Sequence, residues 1–195
     1  DALQADDDGD GFTNLEEFNG GTDPVKADDH PPLVEKLNVA GIEESKMYLK
    51  LSLPEQGKTG VQALRGRRVA WQFRELKPGD KFGPPDAPER FELKAVEKRT
   101  YEQGSLKLED WRADFQDLSK PNKPTLELFR RNKFITIVDK TVEFALLAGK
   151  DKGQGFKVQE GQSFSLPPGG APQFQLLSAD KRNSEAVLLD LKHQK

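Results

Sequence analysis

The amino-acid sequence predicts a mainly β protein, with two small β-sandwich or β-barrel-like domains preceded by a short acidic loop segment. Three observations support this prediction. Apolar residues alternate with polar ones in several stretches after residue 33, as they do in strands that bury one face. A pattern of glycine, phenylalanine and proline occurs twice in the chain. Carboxylates, by contrast, cluster at the start of the chain, before this alternation begins.

The first element is a twelve-residue loop that begins at Asp6 and ends at Glu17. Its sequence, D-D-D-G-D-G-F-T-N-L-E-E, matches the calcium pattern D-x-D-x-D-G-x5-E without a mismatch. Calcium takes roughly six to eight oxygen ligands, and a tight loop turns alternate side chains toward one centre. The predicted Ca²⁺ ligands are carboxylates, one backbone carbonyl and one amide oxygen or its bridging water, from Asp6, Asp8, Asp10, Phe12, Asn14 and Glu17.

A disordered acidic tail is the alternative interpretation, because four aspartates within five residues repel one another. The acids nevertheless fall at the coordinating positions, and Phe12, Leu15 and Phe18 follow at helical spacing. Gly20 and Gly21 then end the helix after little more than one turn. All of the predicted ligand atoms are oxygens, so the ion is predicted to be calcium rather than zinc.

The charge is unevenly distributed along a chain whose net charge is -3. The first 29 residues hold ten acids and one base, and the remaining residues hold 23 acids and 29 bases. The first segment therefore needs a cation to become compact, whereas the rest is too weakly basic to indicate nucleic-acid binding. The absence of cysteine excludes disulfides, zinc–thiolate sites and thiol catalysis.

Domain boundaries are predicted from these changes in pattern. Residues 1–30 form a calcium-binding connector, residues 31–104 a first β domain and residues 105–195 a second. A hairpin turn is predicted at residues 43–45, and residues 106–118 fit either a helix or a strand, with a strand favoured by their neighbours. Further strands are predicted around Leu37, Leu49, Trp71 and Phe91, and at residues 126–129, 134–138, 142–147 and 186–191.

An internal duplication is predicted from residues 79–99 and 161–182. Both contain glycine, phenylalanine, a proline pair, Ala-Pro, Phe-x-Leu and Lys-Arg in the same order. If the two stretches share an ancestor, they should follow the same path, with exposed proline loops. Three matched pairs should then be buried at equivalent places: Phe82 with Phe164, Phe91 with Phe174, and Leu93 with Leu176.

Catalytic motifs are missing from the sequence, so no enzymatic activity is predicted. The two histidines, His30 and His193, sit in no nucleophile or zinc motif, and the glycine pairs read as turns. Acid pairs such as Glu43 with Glu44 are interpreted as solvated faces. The basic clusters at 65–68 and 130–133 are interpreted first as soluble, charge-protected strand ends, and second as a surface for an acidic partner.

The calcium segment resembles a family of bacterial repeats. Residues 8–18, followed by Gly21-Thr22-Asp23-Pro24, are similar to the calcium repeats of bacterial surface and secreted proteins, akin to dockerin loops and thrombospondin type-3 repeats. The resemblance covers residues 5–24 and implies calcium binding in a single, EF-hand-like copy. Calcium loops of extracellular modules bind at roughly 10⁻⁴–10⁻³ M, so we expect an extracytoplasmic location, in the periplasm or at the cell surface.

Two further resemblances suggest a biological setting. Residues 156–166 resemble the small β domains of pilus and secretion proteins of the PilP type. The calcium loop followed by His30-Pro31-Pro32-Leu33 resembles pilus-like system proteins of the Verrucomicrobia group. They imply a non-enzymatic structural or interaction module of a cell-envelope assembly. Its partners would be other envelope or pilus-assembly proteins, and membrane contact would come only through a preceding N-terminal segment of a longer protein.

The alternative function is an extracellular carbohydrate-binding accessory module. Such a module needs a flat platform of exposed aromatic rings. The chain has two tryptophans and two tyrosines that are able to supply one: Trp71, Trp111, Tyr48 and Tyr101.

Overall fold

A computed structural model describes residues 2–55, 58–65, 68–132, 134–166 and 168–192. Strands make up 53% of the chain and helix 8%, and the sheets curl into half-barrels, so the predicted mainly β, barrel-like class is confirmed. Within the described ranges, no helix is both long and apolar enough to cross a membrane. The elements in chain order are a 3₁₀ turn (Ala2–Gln4), α1 (Asn14–Gly20), a second 3₁₀ turn (Leu33–Lys36), β1 (Leu37–Glu55), β2 (Lys58–Arg65), β3 (Arg68–Leu76), β4 (Lys81–Phe82), β5 (Phe91–Gln103), β6 (Leu106–Asp117), β7 (Thr125–Phe129), β8 (Ile135–Leu146), β9 (Gly155–Gln159), β10 (Ser163–Phe164), β11 (Phe174–Asp180) and β12 (Glu185–Asp190).

The chain forms two compact units whose boundaries differ from the predicted domains. Unit 1 contains Asp1–Glu43 and Lys140–Lys195, and unit 2 contains Glu44–Asp139. The predicted boundary at residue 104 falls in the turn between β5 and β6, which pair as one long hairpin. The predicted connector, residues 1–30, is part of unit 1 rather than a separate segment.

Strand β1 is continuous where a hairpin turn was predicted, so the turn at residues 43–45 is wrong. The apolar residues before these positions, including Leu37 and Val39, pack on the core of unit 1. Those after them, including Leu49 and Leu51, belong to the core of unit 2. The polar stretch marks the place where the strand leaves one core and enters the other.

Strand β8 behaves in the same way. The sequence predicted two strands, at 134–138 and 142–147, but they form the single strand Ile135–Leu146. Ile137 lies in the core of unit 2, and Val142 and Phe144 lie in the core of unit 1. The ambiguous segment at 106–118 is the strand β6, as favoured.

Unit 2 contains a four-stranded sheet in the order β4-β5-β6-β7, and β2 pairs with both β1 and β3. No strand was predicted at β2, because its apolar alternation is limited to Val61 and Ala63 and is broken by Leu64. A Cβ atom at Gly60 would lie 1.9 Å from the Ser52 hydroxyl oxygen, so a larger residue there would displace the Ser52 side chain of β1. The buried core of unit 2 consists of Leu49, Leu51, Val61, Ala63, Leu76, Phe82, Phe91, Leu93, Ala113, Phe115, Leu128 and Ile137.

Unit 1 contains the three-stranded sheet β10-β11-β12 and the pair β8–β9. Its core is smaller than that of unit 2. The buried residues of its core cluster are Val142, Phe144, Val158, Leu176 and Ala179.

The two repeated stretches follow the same path, as predicted. In unit 2, Phe82 of β4 pairs with Phe91 of β5. In unit 1, Phe164 of β10 pairs with Phe174 of β11. Both pairings are antiparallel and begin at the phenylalanines that the sequence comparison matched.

The turn before each pair is also closed by the same hydrogen bonds. Gly79 N–H donates to the Leu93 carbonyl and Gly161 N–H to the Leu176 carbonyl, each at 2.7 Å. The two glycines have φ of 96° and 92°, a left-handed conformation that glycine adopts without strain.

The equivalence extends beyond the stretches found in the sequence. The register of β5–β6 shifts after Leu93, and that of β11–β12 shifts after the matched Leu176. In β2–β3, Val61 pairs with Phe73, and in β8–β9, Phe144 pairs with Phe156. Five consecutive strands, β2 to β6 in one copy and β8 to β12 in the other, therefore share one pairing scheme, which supports an internal duplication.

Burial of the matched residues is not equal. Phe82, Phe91 and Leu93 are fully buried in unit 2, and Leu176 is fully buried in unit 1. Phe164 and Phe174 are only half-buried, so the prediction of equal burial is wrong for these two. The described proline loops are largely exposed, as predicted, whereas Pro167 lies outside the described residues.

Candidate metal centre

Hydrogen bonds from the backbone orient the aspartates of the loop. Asp6 accepts from Gly11 N–H at 3.0 Å. Asp8 accepts from Asp10 N–H at 3.2 Å, and Asp10 accepts from Phe12 N–H at 2.7 Å. The candidate ligand oxygens of the three aspartates lie within 4.8 Å of one another.

Four carboxylate oxygens of this loop are buried and accept no hydrogen bond from any described residue. They are Oδ2 of Asp8, Oδ2 of Asp10 and both oxygens of Glu17. Buried charged oxygens without a partner are costly. Hard oxygen donors that converge in this number suit a calcium ion. The residues of the loop therefore fit the predicted cation.

The two adjacent glutamates, Glu16 and Glu17, have different surroundings. Glu16 accepts hydrogen bonds from Lys36 Nζ at 2.7 Å and from Thr13 N–H at 2.8 Å, and these bonds lower the pKa of Glu16. Glu17 is 0% exposed and has no such partner. Burial, and then the charges of the nearby aspartates, raise the pKa of Glu17. Of these two glutamates, Glu17 alone has carboxylate oxygens that accept no hydrogen bond from a described residue.

Helix α1 positions Glu17. Thr13 caps the helix, because its side chain accepts from Glu16 N–H while the Glu16 carboxylate accepts from Thr13 N–H, a capping box. Gly21 ends the helix in the left-handed conformation, with φ of 73°, and its N–H contacts the carbonyls of Glu17 and Phe18. Helix and loop are therefore fixed by the local sequence.

The loop packs directly on another segment of unit 1, residues 148–149. Gly149 N–H donates to the carbonyl of Asp10. A Cβ atom at Gly11 would lie 2.7 Å from Ala148 Cα, so no larger residue fits between the loop and this segment. The glycine of the calcium pattern thus serves both the turn of the loop and its attachment.

Phe12 completes the attachment. Its side chain is 1% exposed, its ring stacks on His30 with centroids 5.6 Å apart, and Lys36 Nζ lies 5.4 Å from the ring centroid. His30 therefore has a packing role here. The sequence analysis did not predict that residues 148–149 contact the loop, because a single glycine was their only distinctive feature.

The structure gathers some predicted ligands more closely than others. Asp6, Asp8 and Asp10 form the acidic cluster, and Glu17 is near enough for their charges to raise its pKa. The Asn14 amide bonds elsewhere: its Oδ1 accepts from Asp7 N–H at 3.3 Å, and its Nδ2 donates to Asp7 Oδ2 at 2.9 Å and to the Ala2 carbonyl at 2.8 Å. The described hydrogen bonds of the Asn14 amide therefore join it to Asp7 and Ala2.

The basic clusters give no comparable centre among the described residues. Arg131 lies 4.2 Å over the Tyr101 ring and 3.6 Å from Asp110, which favours the interpretation as a charged strand end. Residues 66, 67 and 133 of the two clusters and His193 lie outside the described residues. Trp71 and Trp111 pack against the core of unit 2, which removes the main support for a flat carbohydrate platform.

Comparison with protein-family models, with curated proteins and with solved structures finds no match to this chain.

Proposed function

We propose that residues 6–17 bind one Ca²⁺ ion and that the ion stabilises unit 1. The observation that carries this proposal is the set of four buried carboxylate oxygens without a hydrogen-bond partner. A divalent cation supplies the missing partner and offsets the repulsion among the acids. Asp6, Asp8, Asp10 and Glu17 would hold the ion, with the Phe12 carbonyl and Asn14 completing its shell.

The role of the ion is structural in this proposal. The loop is bonded to Gly149 through Asp10, and Phe12 is buried in unit 1. Fixing the loop therefore fixes the segment on which it packs. A metal that binds the folded state and not the unfolded chain stabilises the fold by mass action.

Calcium titration of the chain by calorimetry should show one site with a dissociation constant on the order of 10⁻⁴ M. Replacing Asp10 by asparagine should weaken binding by at least about tenfold, because an anionic ligand oxygen becomes a neutral amide. Asp10 is nearly fully buried and belongs to the acidic cluster.

Asp7→Asn provides the matched control. Asp7 lies in the same loop and carries the same charge, but it is exposed and pairs with Asn14. Its variant should bind calcium almost as the wild type does. Equal weakening by the two substitutions would show that only the net charge of the segment attracts the ion.

Saturating calcium should also stabilise unit 1. At a concentration one hundred times the dissociation constant, the gain is about 2.7 kcal/mol. Hydrogen exchange at the amides of Val142, Phe144 and Val158, which form the core of unit 1, should slow accordingly. Unchanged exchange at these amides, with calcium bound, would contradict the structural role.

We further propose that the chain is a non-enzymatic interaction module of a bacterial cell-envelope assembly, located outside the cytoplasm. The support is the resemblance of its calcium segment to repeats of surface and secreted proteins, together with the weak affinity expected of such loops. Pull-down from envelope extract, with the wild type and Asp10→Asn, tests this setting. Envelope or pilus-assembly proteins should be retained in calcium by the wild type, and less by the variant.

A further inference from the structure

The last strand of unit 1 has an unpaired edge that its counterpart in unit 2 does not have. In unit 2, β6 lies between β5 and β7. In unit 1 the corresponding strand, β12, ends the sheet β10-β11-β12, and β11 is its only strand neighbour among the described residues. Unit 2 therefore shows that a strand, β7, occupies this edge when the edge is paired.

The register identifies which residues correspond. Leu93 of β5 pairs with Phe115 of β6, and the matched Leu176 of β11 pairs with Leu188 of β12. Beyond the shift in register, the same comparison places Ala186 in the position of Ala113.

Strand β7 completes the core of unit 2 at these positions. Its residues Leu126 and Leu128 lie opposite Phe115 and Ala113, and both of these residues of β6 are 0% exposed. The corresponding residues of β12 are only half-buried. Unit 1 thus lacks two apolar side chains that unit 2 takes from β7.

Backbone donors also face the unpaired edge. On β6, Asp117 N–H donates toward the β7 side at 3.0 Å, and the Trp111 carbonyl accepts from that side at 2.9 Å. In an antiparallel ladder every second residue forms its hydrogen bonds with the same neighbouring strand. Phe115 and Ala113 of β6, which lie opposite Leu126 and Leu128, therefore bond to β7. By the same register, the N–H groups of Ala186 and Leu188 face the open edge of β12.

The sequence of β12 does not protect this edge. Glu185 and Asp190 stand at its ends, and the four residues between them are uncharged and include no proline. Val187, in the middle, is 54% exposed. Exposed edges of globular proteins usually carry charges or prolines that prevent pairing, so this edge is suited to accept another strand.

One charge indicates the chemistry of the incoming strand. In unit 2, Arg112 of β6 pairs with Glu127 of β7 at 2.6 Å. Glu185 takes the place of Arg112 in unit 1. A basic residue in the position of Glu127 would restore an ion pair of opposite sense.

We propose that the free edge of β12 binds an extended segment of a partner protein as an added antiparallel strand. The segment has the pattern apolar–basic–apolar. Its apolar side chains lie opposite Leu188 and Ala186, and its basic side chain lies beside Glu185. Main-chain hydrogen bonds would supply the affinity and alternate side chains the specificity. This inference does not depend on the calcium site.

Peptides of the β7 sequence test the proposal directly on the intact chain. One peptide carries residues 124–130 with Glu127→Lys, a second keeps Glu127, and a control replaces Leu126 and Leu128 by serine. With the first peptide, amide exchange at Ala186 and Leu188 should slow by about tenfold. Val187 and Leu189, whose amides face β11, should not change.

The lysine peptide should bind about threefold more tightly than the glutamate peptide, the scale of an exposed ion pair, and the serine control should protect neither amide. A second experiment uses a variant to detect an interaction that is too weak for a free peptide. In this variant, residues 118–130 with Glu127→Lys are appended directly after Asp190, so that the added strand is covalently attached. Absence of protection in both experiments would overturn the proposal. Protection of Ala186 and Leu188 by self-association, without peptide, would overturn it in favour of a second copy.

Discussion

Replacing Arg90 by methionine should lower the unfolding free energy of unit 2 by about 3–5 kcal/mol, the usual cost of removing one partner from a buried ion pair. The Arg90 residue is 9% exposed. Its guanidinium donates to Asp117 at 3.2 and 2.9 Å and to Asp139 at 2.7 Å through two nitrogens. Without it, these two carboxylates lose their shared hydrogen-bond donor in a buried site.

Tryptophan fluorescence measures this effect in the right unit, because both tryptophans of the chain, Trp71 and Trp111, lie in unit 2. Arg99→Met is the matched control. Arg99 pairs with Glu97 at 2.6 Å, but its side chain is 53% exposed, so its loss should cost less than about 1 kcal/mol. Similar costs for the two variants would contradict the buried arrangement around Arg90.

Acid should reduce the difference between the wild type and the Arg90 variant. Burial alone raises the pKa of Asp139, but the hydrogen bonds from Arg90 outweigh it and hold this pKa below the ordinary value of 3.8. A lowered pKa contributes stability above the unfolded value, and this contribution is lost as the pH falls through the folded value. The cost of Arg90→Met should therefore shrink below about pH 4.

Truncating Phe91 to alanine should cost unit 2 about 3–5 kcal/mol, as expected for an aromatic residue in a closed core. The matched truncation of Phe174 in unit 1 should cost about half as much, because this ring is half-buried and leaves a smaller cavity. Phe91 is 0% exposed and contacts the ring of Phe82 with centroids 5.5 Å apart.

Tryptophan fluorescence measures the cost of the Phe91 truncation in unit 2. Amide exchange at the strands of unit 1 measures the cost of the Phe174 truncation. Comparing the two costs separates two explanations of what sets the stability of each unit. Equal costs would show that the pairing scheme alone sets the stability of each unit. Unequal costs would show that the number of strands closing the core matters, as expected if unit 1 remains open at β12.

The sequence by itself determined the features that depend on neighbours in the chain. The spacing from Asp6 to Glu17 predicted a loop whose acids converge. Thr13 at the N-terminal cap and Gly21 at the C-terminal cap fixed the short helix. Alternation identified most strands, and the repeated motif located Phe82 and Phe164 at equivalent positions. In each case the determining contacts join residues that are close in sequence, or a pattern whose period is set by the backbone.

Only the tertiary structure decided which residues meet across long separations. The polar residues at 43–45 read as a turn because a single sequence does not show that β1 serves two cores. Arg90 was not singled out, because its partners Asp117 and Asp139 lie 27 and 49 residues away. The attachment of the acidic loop to Gly149 was hidden for the same reason. Burial, the pairing of charges and the open edge of β12 all depend on what packs against a residue, and a local pattern does not encode that partner.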